Sequence, residues 1–137
     1  MYDDILLPTD GSAAADAAVE HAADLARTYD ATVHVLYVVE PLPAAEFDAA
    51  SVLDSLREEG ERITGDVAER LGDRGVETET VVRTGVPYRV VLDYADESGA
   101  DLVVMGTHGR QGLGRVLLGS VAEKVVRLCD SPVLTVR

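Results

Sequence analysis

The chain has 137 residues, 47% of them hydrophobic, which suits a single core and excludes a disordered or low-complexity protein. Twelve basic against twenty-five acidic residues give a net charge of −13, a field that repels nucleic acid and anionic membranes, so neither is an expected partner. One cysteine, Cys129, excludes a disulfide framework, and no apolar run approaches the roughly 20 residues that span a bilayer.

In chain order, the pattern opens with a short apolar run at residues 5–8, a predicted first strand. Ser12 then suits the N-cap of a helix whose apolar stripe is Ala15, Ala18, Val19, Ala22, Ala26 and Tyr29. Residues 32–39 (TVHVLYVV) are rich in β-branched and aromatic side chains and predict strand two. An irregular stretch, residues 40–48 with two prolines, reads as a surface loop. The next stripe runs Ala49, Leu53, Leu56, Gly60, Ile63, Val67, Leu71, with Glu58–Arg62 and Asp66–Arg70 at i,i+4 on its outer face. Residues 76–82 predict strand three. Pro87 opens a third helix and Gly99 stops it. Residues 102–105 and 132–136 predict strands four and five. The fourth helix begins near Ser120 and runs to about Cys129, with Ser120 and Glu123 at capping-box spacing. The order βαβαβαβαβ, without linker or repeat, argues for an α/β fold: a parallel sheet, its strands mostly buried, covered by helices on both faces.

The charge is unevenly placed. Residues 1–105 hold seven basic and twenty-three acidic side chains, whereas residues 106–137 hold five basic and two acidic. The basic end is where an anion site is expected. There, residues 106–119 carry five glycines, two arginines, one histidine and no acid, and lead into a helix N-terminus. Glycine lets backbone N–H groups approach a ligand, and free helical N–H groups with the helix dipole favour phosphate. In open parallel sheets the ligand lies beyond the carboxyl ends of the strands. That brings in the other strand end, Pro8-Thr9-Asp10-Gly11-Ser12. Two known phosphate motifs fail here. No Lys precedes Ser120, which excludes a Walker A loop, and DGS follows strand one where a dinucleotide fingerprint would need GxGxxG.

The spacing that does occur is Gly106-x2-Gly109-x9-Gly119-Ser120. With the PTDGS start, the segments VVMGTHGR and LLGSVAEKVVR and the closing SPVLTVR, the whole chain, residues 1–137, resembles the universal stress protein family, in its ATP-binding branch. The resemblance implies a doubly wound, Rossmann-like domain of five parallel strands in the order 3-2-1-4-5, with an adenine nucleotide (ATP, ADP or AMP) where strands one and four meet. It implies phosphate and ribose contacts from Gly106, Gly109, Gly119 and Ser120, with His108 and Arg110 adding donors or charge. Pro8, Thr9 and Met105 would border the site. Asp10 would face the ribose or adenine, Val38 would meet adenine through its backbone, and Val121 would offer an N–H. Magnesium or manganese would ride on the phosphates and not in a protein cage. The resemblance also implies a homodimer through the last strand.

Plainer roles stand beside these. Ser120 can serve only as a cap, Asp10 only as an N-cap or turn-former before the first helix, and His108 as a loop donor without catalytic work. His21 and His34 read as structural, Cys129 as a small buried hydrophobe, and Tyr37 as core packing. The function implied is a cytoplasmic, nucleotide-binding stress-response sensor or regulator. The alternatives are a slow ATPase or phosphotransferase on the same site, for which Asp10 and His108 are the only candidate water-orienting groups, and a nucleotide-free dimeric interaction module.

Eleven arginines against one lysine, with fourteen Asp and eleven Glu, make an acid-rich, Lys-poor surface of the kind a high-salt cytoplasm favours, because salt screens self-repulsion. The melting temperature is therefore expected to rise between low salt and molar KCl. A scan showing no rise would remove the halophilic reading.

Overall fold

A computed structural model describes residues 1–41, 49–107 and 118–137. Its elements run β1 (Asp4–Pro8), α1 (Ala13–Tyr29), β2 (Thr32–Val39), α2 (Ala49–Asp73), β3 (Glu77–Thr84), α3 (Pro87–Ser98), β4 (Leu102–Gly106), α4 (Ser120–Leu128) and β5 (Val133–Val136). All the pairings are parallel, and the strand order is β3-β2-β1-β4-β5. The sheet order that the family resemblance implies is the order observed.

The alternation of side chains along each strand divides the core. Ile5, Leu7, Val33, Val35, Leu102 and Val104 face α1 and α2, where they meet Ala18, Val19, Ala22, Ala26, Val67 and Leu71. Leu6, Leu36, Val103 and Met105 face α3 and α4, against Val91, Tyr94, Ala95, Ala122 and Val125. The alanine stripe of α1 lets that helix lie close to the sheet. Tyr37 packs with Val39 and Ile63, as core and not as a stacking platform. Burial is uneven, however: the edge strands β3 and β5 are mostly exposed or half-buried, so the expectation of mostly buried strands holds only for β1, β2 and β4.

Helix ends follow local chemistry. Ser12 accepts from the Ala15 N–H at 3.2 Å and caps α1. Pro87 occupies the first turn of α3, and Gly99 ends it at φ +68°. Strand three starts at Glu77, one residue later than the pattern suggests, because the Val76 N–H closes the end of α2 on the Leu71 carbonyl.

Two local expectations are corrected. The N-cap of α4 is Gly119, and Ser120 is the first helical residue, so the Ser120–Glu123 capping box does not form. The Glu123 N–H bonds the Gly119 carbonyl instead, at 2.9 Å. The predicted i,i+4 pairs on α2 also re-partner. Arg62 meets Asp66 at 3.4 Å, and Arg70 crosses to Asp16 (3.2 Å) and Glu20 (3.5 Å) on α1. Arg74 reaches Glu20 (2.6 Å) and Asp24 (3.0 Å) in the same way. Asp16, Glu20 and Asp24, at i,i+4 spacing on α1, supply the partners of these two arginines.

The cap assignment has a measurable consequence. Ser12→Ala should cost about 1 kcal/mol in urea denaturation followed by circular dichroism. Ser120→Ala should cost less than about 0.5 kcal/mol, the range of ordinary surface changes. Equal losses would contradict the assignment.

Candidate functional site

Strand β1 lies between β2 and β4, so the chain leaves its carboxyl end where the winding reverses. The residues that follow form a tight turn. The buried Thr9 donates its N–H to the Leu36 carbonyl at 2.9 Å and accepts from the Gly11 N–H on its hydroxyl at 3.2 Å. Gly11 takes φ +80°, a conformation that suits glycine. One Asp10 carboxylate oxygen accepts from the Ser12 N–H at 2.9 Å, the self-stabilising turn of an aspartate. Of the two plain roles expected of Asp10, it forms the turn, while the N-cap of α1 is Ser12.

On the other side of the reversal, β4 ends at Gly106. A Cβ added there would lie 2.7 Å from the Ala14 backbone carbon, so the first turn of α1 requires glycine at this position on packing grounds alone. The buried Thr107 donates its N–H to the Val136 carbonyl of the last strand at 2.8 Å, and its carbonyl accepts from the Gly119 N–H. These bonds tie the two ends of the glycine-rich segment together at the base of α4. Helix α4 starts at once, nine residues long, and the N–H groups of its first turn have no partner within the helix.

Between these elements lies a cleft. Pro8, Thr9, Asp10 and Ser12 line it from β1 and the turn, Leu36, Val38 and Glu40 from β2, and Met105, Gly106 and Thr107 from β4. Gly119, Val121 and Ala122 come from the start of α4, Pro87 and Val91 from α3, and Ala15 from α1. Its chemistry is divided: an apolar wall of Leu36, Val38, Pro87 and Val91 on the β2–α3 side, and a polar mouth at Asp10 and the α4 N-terminus.

Of the residues selected from sequence, Pro8, Thr9, Asp10, Val38, Met105, Gly106, Gly119 and Val121 line this one cleft. Ser120 lies beside it, exposed on the first turn of α4. His108, Gly109 and Arg110 fall outside the described residues. Sequence reasoning missed Pro87, Val91 and Glu40. Only the parallel register and the return of α3 over the β1 end bring them in, although Leu36, Val38 and Glu40 share the alternation that exposed one of them. The α3 and α4 walls are pinned together by Lys124, whose Nζ sits 4.8 Å from the centre of the Tyr88 ring. Arg89 Nε donates to the Tyr88 hydroxyl at 2.9 Å and holds that phenol below its ordinary value. Among the described residues, no three His, Cys, Asp or Glu side chains converge to hold a metal ion, and no helix is long and apolar enough to cross a membrane.

The model of the Universal stress protein family matches residues 1–137. The chain belongs to the universal stress protein family. It is 39% identical to the universal stress protein MJ0531 of Methanocaldococcus jannaschii, over all of this chain and 83% of that one. It is 32% identical to the universal stress protein YxiE of Bacillus subtilis, over 100% of both. Among solved structures, MJ0577 superposes with a TM-score of 0.91 at 30% identity, covering 99% of this chain and 96% of that one. A family member solved in complex with cAMP superposes at TM-score 0.77 and 28% identity, over 99% and 97%.

Proposed function

We propose that the cleft binds an adenine nucleotide (ATP, ADP or AMP) and that the protein acts in the cytoplasm as a stress-response sensor or regulator. One observation carries the proposal: the turn holding Asp10 and the N-terminus of α4 behind Gly119 open onto the same cleft as the apolar wall of Val38, Pro87 and Val91. A nucleotide needs those surfaces side by side. An apolar slot takes the base, an acceptor meets the ribose hydroxyls, and helical N–H groups meet the phosphates. The cAMP complex of a relative supports the same ligand class.

In this arrangement the Val38 backbone and the Pro87 and Val91 side chains would hold adenine. Asp10 would take the ribose. Gly119 and the Ser120 and Val121 N–H groups would meet phosphate, joined by Gly106, Gly109, His108 and Arg110. Magnesium or manganese would be carried by the phosphates.

Gly119 adopts φ −61° and ψ 156°, a conformation open to other residues, so its backbone does not demand glycine. Gly119→Val should therefore fold yet place a branched Cβ where phosphate approaches α4. ATP affinity should fall at least about 10-fold, or about 1.4 kcal/mol. Arg110→Ala should weaken ATP more than adenosine. Calorimetric titration of both ligands, with circular dichroism as the folding control, decides it. A folded Gly119→Val that binds ATP as tightly as the parent removes the phosphate cradle from the proposal.

We also propose a homodimer through β5. This strand is a sheet edge, Val133 and Leu134 are only half-buried, and the neighbouring α4 exposes Val126 and Leu128 at 45% and 51%. Two-fold symmetry makes such strand pairing antiparallel. Light scattering should give about twice the monomer mass, since two-fold dimers are the commonest soluble oligomers. Val133→Lys combined with Leu134→Asp should give monomers, and a dimer indifferent to that change would refute the proposal.

A further inference from the structure

The cleft holds a carboxylate that the contacts proposed for the nucleotide leave unused. Glu40 lines it from the end of β2. Its place follows from the strand. Leu36 and Val38 turn to the face of the sheet that carries α3 and α4, whereas Tyr37 and Val39 pack with Ile63 on the other. Glu40 is the next position of the first series. The Gly85 N–H holds the backbone just before it, on the Val39 carbonyl at 2.9 Å.

The Glu40 side chain is exposed, and among the described residues no hydrogen bond or ion pair occupies its carboxylate. The arginines beside the end of β2 are engaged elsewhere. Arg83, the register partner of Val38, is committed to Glu97 at 2.7 Å. Arg57 of α2 donates to the hydroxyl of Thr84, the register partner of Val39, at 3.0 Å. Glu40 thus stands as an acceptor without a donor, at the end of the apolar wall of Leu36, Val38, Pro87 and Val91.

The two sides of the cleft differ in what they welcome. Phosphate belongs at the N-terminus of α4, which follows β4. Strand β2 lies two strands from β4, across β1, roughly 10 Å away at ordinary strand spacing. A carboxylate at that distance repels phosphate, and because it only accepts it calls for an N–H. A nucleotide laid across β1 with its phosphates at α4 carries its base over β2, edge toward Glu40. The ring nitrogens of adenine accept, and its exocyclic amino group donates. We infer that Glu40 is a specificity-determining residue: its carboxylate accepts a hydrogen bond from the 6-amino group of the bound base and so selects a purine that carries one. The inference rests on the adenine-nucleotide reading of the cleft. The backbone carbonyl of Val38 is the rival acceptor for the same proton, and a side-chain change at position 40 separates the two.

The experiment is calorimetric titration of adenosine and of purine riboside, the same nucleoside with hydrogen in place of the 6-amino group. Neither carries phosphate, so the comparison isolates the base. The parent should bind adenosine about 10-fold or more tighter, the lower range for a hydrogen bond to a charged group. Glu40→Ala should shrink that preference to about two-fold or less through lost adenosine affinity. Glu40→Gln, whose amide carbonyl still accepts but without the charge, should fall between the two. Circular dichroism checks that both variants fold, as an exposed position allows. Should Glu40→Ala fail to fold, Glu40→Gln decides by a narrowed or an unchanged preference. A parent indifferent to the amino group, or equal losses for both nucleosides in Glu40→Ala, overturns the inference and leaves the nucleotide site standing. So does a folded Glu40→Ala with the full preference, which gives the amino group to the Val38 carbonyl. A parent that binds neither adenosine nor ATP overturns the inference and the nucleotide reading together.

Discussion

The central position of β1 is the constraint from which the site follows. Hydrogen-bonded to β2 on one side and β4 on the other, β1 sends the chain out at the point where the winding changes direction. Connections on either side of that point diverge, and a cleft opens between them. At its β4 side the packing of α1 demands a small side chain. Ala14 backbone carbon would stand 2.7 Å from any Cβ at position 106, so α1 can start against the end of β4 only because that residue is glycine. The glycine that signals a ligand loop in the sequence is therefore, in part, a packing residue.

Much of this was legible in the sequence. The alternation of apolar runs with helical stripes gives the elements, and Ser12, Pro87 and Gly99 mark helix ends by chemistry that acts within a few residues. The misreadings have a common cause, which is that spacing reports what can pair and not what wins. Ser120 and Glu123 have capping-box spacing, but Gly119 takes the cap once the Thr107 carbonyl captures its N–H. Asp66 and Arg70 are well spaced, yet a row of carboxylates on another helix draws Arg70 away. Pro87 and Val91 carry no local sign of facing a ligand. Their role is set by where α3 returns across the sheet, which no spacing along the chain records.

Electrostatics show the same dependence on the whole fold. With thirteen more acidic than basic groups, carboxylates crowd one another, and the arginines are placed where they touch several. Arg70 and Arg74 together reach Asp16, Glu20 and Asp24, lacing the C-terminal end of α2 to α1 along a row of three carboxylates. Exposed pairs of this kind contribute little singly, about 0–1 kcal/mol each. Their value lies in relieving repulsion along the row. The buried His34 differs in kind, since the carboxylates of Asp4 and Glu79 meet a ring shielded from water.

The pairing of Ile5 with Leu102 joins residues 97 positions apart, whereas β2 and β3 meet across a single helix. Distant contacts demand the largest loss of chain freedom before they return any stabilisation, and they slow folding. The cleft straddles that distant pairing. A partly folded chain with β1, β2 and β3 assembled would possess the apolar wall of Val38 yet lack the β4 and α4 side altogether. Any ligand that spans both sides can recognise only the finished molecule, and by mass action it would draw the folding equilibrium toward completion. Occupancy of the cleft would then report that the pairing of β1 with β4 has closed.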